Sequence, residues 1–290
     1  MSATPLTWGG RSISAPGGLP AVAVSLTGPS LVQARSQARS AVDVGADVLE
    51  LRVDLLEEAG ALAAPDLLDA ATAAAQVLEC LRGLGEVIAA DGADAGAGAP
   101  LLLTCRTAAE GGRARLDDAA YTALLRSVLD GLADWAPERR PAAIDVEVQR
   151  GCLPQVCAQA HALDIDVVAS FHDFEATPAD EVLEEVLARM AREGADLAKI
   201  AVWPTSADDV ARLLGVCARA TAGAGEGADL GVPVAAMSMG ALGAVSRVAP
   251  AFGSALTFAV VPDEQGQSRA SAPGQLPLQD VRRCLELLRA

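Results

Sequence analysis

A single lysine, Lys199, occurs in the 290 residues. It sits in the middle of Asp196-Leu-Ala-Lys-Ile-Ala-Val-Trp-Pro204, which reads as a buried strand, flanked by Leu197, Ile200 and Val202. An ammonium is costly to bury in such company. Arginine, which takes the other cationic positions, keeps its proton at every useful pH, whereas a desolvated lysine can lose it. A neutral amine attacks ketones and aldehydes to give a Schiff base. The competing reading is a lysine whose stem packs in the core while its head meets a carboxylate.

Other residues of the same kind recur at strand spacing. Side chains of a strand alternate between two faces. Glu50, Arg52 and Asp54 share a face opposite Leu49, Leu51 and Val53. Thr104 and Arg106 oppose Leu103 and Cys105; Asp145 and Glu147 oppose Ile144, Val146 and Val148; Ser170 and His172 oppose Ala169 and Phe171. Met237 and Met239 share one parity. Five neighbouring strands with polar inner faces are hard to explain by structure alone, because each buried charge costs several kcal/mol unless paired. His172, expected beside Lys199 at a similar height, is the natural proton carrier near neutral pH. Glu110, just past the strand of Thr104 and Arg106, either orients and charge-balances it or is a solvated loop residue. Arg52, Arg106 and Arg247 are candidates to clamp a carboxylate. His161, in a helix at an exposed position, is expected to have no role. An imine acidifies the neighbouring carbon, so these residue types predict a metal-free lyase acting on a keto acid.

Positioning such residues requires a particular scaffold. Eight strands are predicted, at 21–27, 48–54, 101–106, 142–148, 166–172, 196–204, 233–240 and 255–261. Each precedes a helix or helical stretch. Ser30 is read as the cap of a helix to about Val44, ended by Gly45; helices are placed at about 65–84, 116–133 and 153–163. Thr177 is read as an N-cap before Pro178 and Asp180, with Val182, Leu183, Val186, Leu187 and Met190 at helical spacing and Gly194 as the stop. Further helices are placed at 206–220, to about Phe252, and at 278–288. Such alternation means parallel strands and right-handed crossovers, and eight units predict a (β/α)8 TIM barrel over residues 1–290 as one domain. Residues 1–19 are an extension with a short hairpin. Residues 85–99 are read as a flexible insertion, with 91–98 its mobile part. Thr27-Gly-Pro-Ser30 is not the Gly-rich fingerprint of an open dinucleotide-binding sheet.

The composition narrows the partners. A net charge of −16 argues against nucleic acid and anionic membranes. No apolar run is long enough to span a bilayer, and the first residues lack the pattern of a secretory signal. The six scattered cysteines read as buried free thiols of a reducing cytoplasm. Nothing resembles a metal cluster.

These segments run in the order of a known family. The chain resembles type I 3-dehydroquinate dehydratase through Glu50-Leu-Arg-Val-Asp54, Thr104-Cys-Arg-Thr-Ala-Ala-Glu-Gly-Gly112, Ile144-Asp-Val-Glu147, Ser170-Phe-His-Asp-Phe-Glu-Ala-Thr-Pro178, Lys199-Ile-Ala-Val-Trp-Pro204, Met237-Ser-Met-Gly-Ala-Leu-Gly-Ala-Val-Ser-Arg247, Phe252-Gly-Ser-Ala-Leu-Thr-Phe258 and Ser271-Ala-Pro-Gly-Gln275. The resemblance implies a syn dehydration of 3-dehydroquinate in the shikimate pathway. Lys199 would form the imine at C3. His172 would take the C2 proton and help the C1 hydroxyl leave, with Glu110 in support. Arg247, Ser271 and Gln275 would hold the carboxylate, and Glu50, Arg52 and Arg106 the ring hydroxyls. Met237, Met239 and Phe258 would pack on the ring, under a lid around 268–277. No cofactor or metal is implied, and the family's enzymes are commonly homodimers. Two other readings stay open. One is a class I aldolase-type barrel, for which Met239-Gly-Ala-Leu-Gly243 is a weak phosphate-site candidate. The other is an inactive barrel that binds shikimate-type acids.

Overall fold

The computed structural model describes residues 6–13, 18–63, 69–90, 98–222, 230–262 and 270–289. It opens with the expected hairpin, β1 (Thr7–Trp8) and β2 (Arg11–Ser12), paired antiparallel. Eight parallel strands follow: β3 (Ala21–Leu26), β4 (Val48–Arg52), β5 (Leu101–Thr104), β6 (Ala143–Glu147), β7 (Asp166–Asp173), β8 (Leu197–Val202), β9 (Val234–Ser238) and β10 (Leu256–Ala259). Their order, β10-β3-β4-β5-β6-β7-β8-β9, is a (β/α)8 barrel. The last seam is the weak one. Among the described residues no ladder joins β9 to β10; Ala255 N donates to Val234 O at 2.7 Å and Ala236 N to Ser254 Oγ at 3.3 Å across the gap.

Seven helices lie outside: α1 (Leu31–Asp43), α2 (Ala70–Ala90), α3 (Asp118–Leu132), α4 (Leu153–His161), α5 (Asp180–Arg192), α6 (Ala207–Thr221) and α7 (Leu278–Leu287). After β9 the crossover is reduced to 3-10 turns at Ala244–Val248 and Pro250–Phe252. Their starts follow local chemistry. Ser30 caps α1 by accepting from Gln33 N, and Ser206 and Asp209 form a reciprocal capping box on α6. Each helix lays its apolar stripe on the strands: α5 buries Leu183, Leu187 and Met190, worth about 2 kcal/mol apiece. None of the described helices is long and apolar enough to cross a membrane.

Two local expectations need correction. Thr177 does not cap α5: its hydroxyl donates to Trp203 O at 3.0 Å, Ala179 holds the cap position, and Val182 is exposed. The helix starts at Asp180, two residues later than a Thr177 cap would need, and the hydroxyl ties two barrel loops together instead. The helix expected at 65–84 runs Ala70–Ala90, so residues 85–90 are helical and not an insertion; Gly85 costs a helix only about 1 kcal/mol. Residues 91–97 lie outside the described residues. His161 ends α4 as a half-exposed side chain on Asp196, 2.8 Å away.

Inside the barrel the parity rule holds on every strand. Ala21, Ala23, Val48, Leu102, Ala143, Val168, Leu197, Ala235 and Leu256 make an apolar floor. The hairpin plugs it from below with Trp8 and Ile13, both buried, and Trp8 Nε1 donates to Asp166 Oδ2 at 2.8 Å. A dry floor is what lets the layers above it carry charge at low dielectric.

Candidate active site

Above the floor the inward positions turn polar together. Ser25, Glu50, Thr104, Asp145, Ser170 and Lys199 point inward, and Arg52, Glu147 and His172 follow two residues on from Glu50, Asp145 and Ser170, toward the strand C-termini where barrel sites lie. The register separates the two central groups: Lys199 pairs with Ser170, and His172 with Ala201. His172 therefore stands one inward step above Lys199, not beside it.

Lys199 is 5% exposed. Its Nζ lies 3.6 Å from Asp145 Oδ2, 3.9 Å from Glu50 Oε1 and 4.3 Å from the Phe258 ring centroid. Burial lowers its pKa, Glu50 and Asp145 oppose that, and Arg106 and Arg52 add to it; burial prevails. The two carboxylates are themselves engaged. Glu50 accepts from Ser25 Oγ and from Thr104 Oγ1 (2.9 Å), and Asp145 Oδ1 accepts from Ser170 Oγ (2.7 Å) and Arg106 Nη2 (2.8 Å). Asp145 Oδ2 has no hydrogen-bond partner among the described residues. Part of the free-energy balance of the site is thus left to the amine.

His172 Nδ1 lies 2.8 Å from Glu110 Oε2. Burial first, then the cations Arg106, Lys199 and Arg52, hold His172 well below its usual 6.5. Burial pushes the Glu110 carboxyl up to about 8 against the pull of Arg106. With one proton between Nδ1 and Oε2, the pair leaves Nε2 a lone pair on a side chain that lines the cavity. Phe174 stacks on His172 with centroids 6.5 Å apart, and Gly111, at φ +80, leaves it room: a Cβ there would fall 2.3 Å from the Phe174 ring. Arg106 ties the halves together. Beyond Asp145 it donates from Nη1 to Glu147 Oε1 (3.1 Å) and Ser170 Oγ (2.9 Å), and it lies 3.6 Å from Glu110. Burial opposes its charge, but Asp145, Glu147 and Glu110 outweigh burial and hold it well above its ordinary value.

The cleft above these groups encloses about 460 Å³, open solvent at its mouth included. Arg247 enters from the turn after β9. It is 2% exposed, donates from Nη2 to Pro273 O (3.2 Å), and has no carboxylate partner among the described residues; its Nε is unbonded. Burial alone lowers it to about 10. Gln275 closes a ring with Ser271, accepting from Ser271 N at 2.9 Å and donating to its Oγ at 3.0 Å, and Ser271 Oγ reaches Ser25 Oγ at 2.8 Å. Arg52 forks onto Asp54 with two bonds of 2.8 Å. Met237 and Phe258 supply the apolar wall.

Of the twelve residues singled out from sequence, eleven line this cavity: Glu50, Arg52, Arg106, Glu110, His172, Lys199, Met237, Arg247, Phe258, Ser271 and Gln275. Met239 does not; it is fully buried in the inner core. The glycines of Met239-Gly-Ala-Leu-Gly243 do not line it either, and a Cβ on Gly243 would fall 2.4 Å from the Ser238 backbone. Sequence reasoning gave no role to Asp145, Glu147 or Ser170, although it put them on the right face, and it passed over Ser25 and Phe174. Parity with Glu50 in the adjacent strand and with His172 was the available signal for the last two.

The sequence matches the family model for type I 3-dehydroquinase over residues 22–290. The chain belongs to the type I 3-dehydroquinase family. It is 35% identical over 271 residues to the 3-dehydroquinate dehydratase of Klebsiella pneumoniae, covering 92% of each chain. It is 36% identical over 276 residues to that of Salmonella paratyphi B, covering 93% of this chain and 94% of the relative. The solved type I 3-dehydroquinate dehydratase of Clostridium difficile, with covalently modified comenic acid, aligns with a TM-score of 0.79 at 28% identity, over 100% of this chain and 99% of that one. The enzyme from Geobacillus kaustophilus aligns equally well, over 99% and 97%. As a type I 3-dehydroquinase the chain is a hydro-lyase of the shikimate pathway, a 3-dehydroquinate dehydratase.

Proposed function

We propose that the chain dehydrates 3-dehydroquinate through a Schiff base on Lys199, in the cavity described above. The observation that carries this reading is the juxtaposition of a desolvated amine, held by two carboxylates, with the His172–Glu110 pair one layer above it.

The amine of Lys199 attacks the C3 ketone; the C–O bond breaks, and water leaves as the imine forms. The iminium draws electrons from C2. His172 Nε2 takes the C2 proton, with Glu110 stabilising the imidazolium through Nδ1. The C2 electron pair moves through the enamine and expels the C1 hydroxyl, which takes its proton from His172 and departs as water. Hydrolysis of the imine returns Lys199 and releases 3-dehydroshikimate. Arg247 pairs with the substrate carboxylate, beside Ser271 and Gln275. Glu50, Arg52 and Arg106 hold the ring hydroxyls, and Met237 and Phe258 pack on the ring. Three unmet buried atoms, on Glu110, Asp145 and Arg247, fit a ligand rich in oxygen. The reading extends to a homodimer in the cytoplasm, on the strength of the family resemblance.

The test is the intact mass after borohydride treatment with and without 3-dehydroquinate. Lys199 is the only lysine, so a single substrate-dependent adduct that maps to it and is lost in Lys199→Ala is expected. Product formation by Lys199→Ala at the wild-type rate, followed by the ultraviolet absorbance of the enone, would overturn the imine.

A further inference from the structure

Arg150 lies outside the cavity, at the end of the 3-10 turn Val148–Arg150 that leaves β6. Its guanidinium is fully engaged. Nε donates to Glu147 Oε2 at 3.0 Å, Nη2 to Thr107 Oγ1 at 2.6 Å, and Nη1 to Asp118 Oδ1 at 2.8 Å, the last pair reaching the surface. Glu147 is completely buried and takes two further bonds from Thr107, N to Oε1 at 2.7 Å and Oγ1 to Oε2 at 2.6 Å. Its Oε1 also accepts from Arg106 Nη1, which lies 3.6 Å from Glu110. Thr107 opens the turn Ala108–Glu110, and its carbonyl accepts from Glu110 N at 3.1 Å. Two continuous routes therefore run from Arg150 to the pair on His172: a backbone route through Thr107 and a charge route through Glu147 and Arg106.

The charge route has a purpose that packing does not supply. The pair is faced by Glu50 and Arg52 from β4, by Arg106 after β5, by Asp145 and Glu147 from β6, and by Lys199 from β8. With Asp54 behind Arg52, carboxylates outnumber cations in this buried set. Arg150 is the cation that offsets Glu147 from the outer side.

We propose that Arg150 is a positioning residue for the dehydration, holding the Ala108–Glu110 turn through Thr107 and balancing Glu147 so that Glu110 can support His172 as a base. This deepens the reading given above and rests on it.

The sign follows from charge. Burial, Glu147 and Asp145 push the Glu110 carboxyl up, and Arg106 and Arg150 hold it down, the outcome being about 8. The pair acts as a base only above its joint apparent value. Removing the cation favours the protonated pair and moves the acid limb of kcat/KM to higher pH, by about one pH unit for one charge acting through a partly buried site. Below the limb kcat/KM then falls roughly tenfold, while above it the variant approaches the wild type.

The experiment compares kcat/KM against pH for wild type, Arg150→Met and Arg150→Lys, with Tm for each. The expected result is a limb displaced upward in Arg150→Met and restored to within a few tenths in Arg150→Lys. A uniform loss at all pH values, an unmoved limb, or equal displacement in both variants would overturn the proposal. Should Arg150→Met not fold, Arg150→Gln makes the same charge change with hydrogen bonding retained, and failure of both to fold would assign the guanidinium to the fold instead. Failure of the imine reading itself shows separately, as a wild type that yields no adduct or product.

Discussion

Arg247 is a buried cation with no anion partner among the described residues, so replacing it should strengthen the empty protein while weakening its hold on substrate. Burial lowers the guanidinium from its ordinary value to about 10. A fall of about 2.5 at 1.36 kcal/mol each corresponds to about 3 kcal/mol, good to its order of magnitude. The sign is destabilising. Below about 10 both folded and unfolded chains hold the proton, so the whole cost is present at any assay pH, and it fades only as pH climbs from the folded toward the unfolded value. Arg247→Met removes that cost. It also loses the bond to Pro273 O, about 1 kcal/mol, and fills the space imperfectly, about another 1. The balance is about 1 kcal/mol in favour of the variant, or a Tm rise of about 2–4 °C. Substrate then lacks its charge-assisted partner, a loss of about 3 kcal/mol and a KM increase of roughly a hundredfold, with kcat changed much less. Calorimetry on the ligand-free protein and initial rates on the same preparation measure both. A lower Tm together with an unchanged KM would show that Arg247 serves the fold and that the carboxylate sits elsewhere.

Two further substitutions separate the remaining roles. His172→Ala should lower kcat by about 10²–10⁴ while still forming the borohydride adduct, because in the proposed mechanism the imine forms on Lys199 and His172 only abstracts the proton; loss of the adduct in this variant would place the imidazole in the first step instead. Gly274 holds φ +83, and a Cβ there would meet Gly240 O at 2.3 Å. Gly274→Ala should therefore displace the Ser271–Gln275 ring and raise KM about tenfold with kcat nearly unchanged; unaltered kinetics would mean that this ring does not touch substrate.

Most of the inner wall was legible because a strand reports its two faces in the simplest possible code. Glu50, Arg52, Asp145, Glu147, Ser170, His172 and Lys199 all point where alternation put them. What alternation does not encode is height across strands, which is why His172 turned out one step above Lys199. Nor does it encode which of two inward residues meets the cavity. Met237 and Met239 share a parity, yet only Met237 lines the site, and Met239 is fully buried in the inner core. Turn and cap signals were the least dependable. Thr177 had the right type and spacing for a cap, but the helix starts two residues later than that cap would need, at Asp180, and the hydroxyl turns to a carbonyl on the neighbouring loop. Arg150 carried no local signal, since its partners Glu147, Thr107 and Asp118 meet only when three loops converge.

The open seam between β9 and β10 divides the molecule's labour. Glu50, Arg106, Asp145, His172 and Lys199 all stand on or directly beside strands that are laddered without a break from β4 to β8. Met237 and Phe258 stand on the two lips of the slit, and Arg247 on the loop that jumps it. A ligand gripped by those three is a suture: it spans the one joint that the backbone leaves nearly unstitched, and its binding free energy is added to the closure of the barrel itself. Catalytic geometry belongs to the woven part of the wall and grip to the hem, so the enzyme can loosen its hold to release product without unpicking the groups that made it.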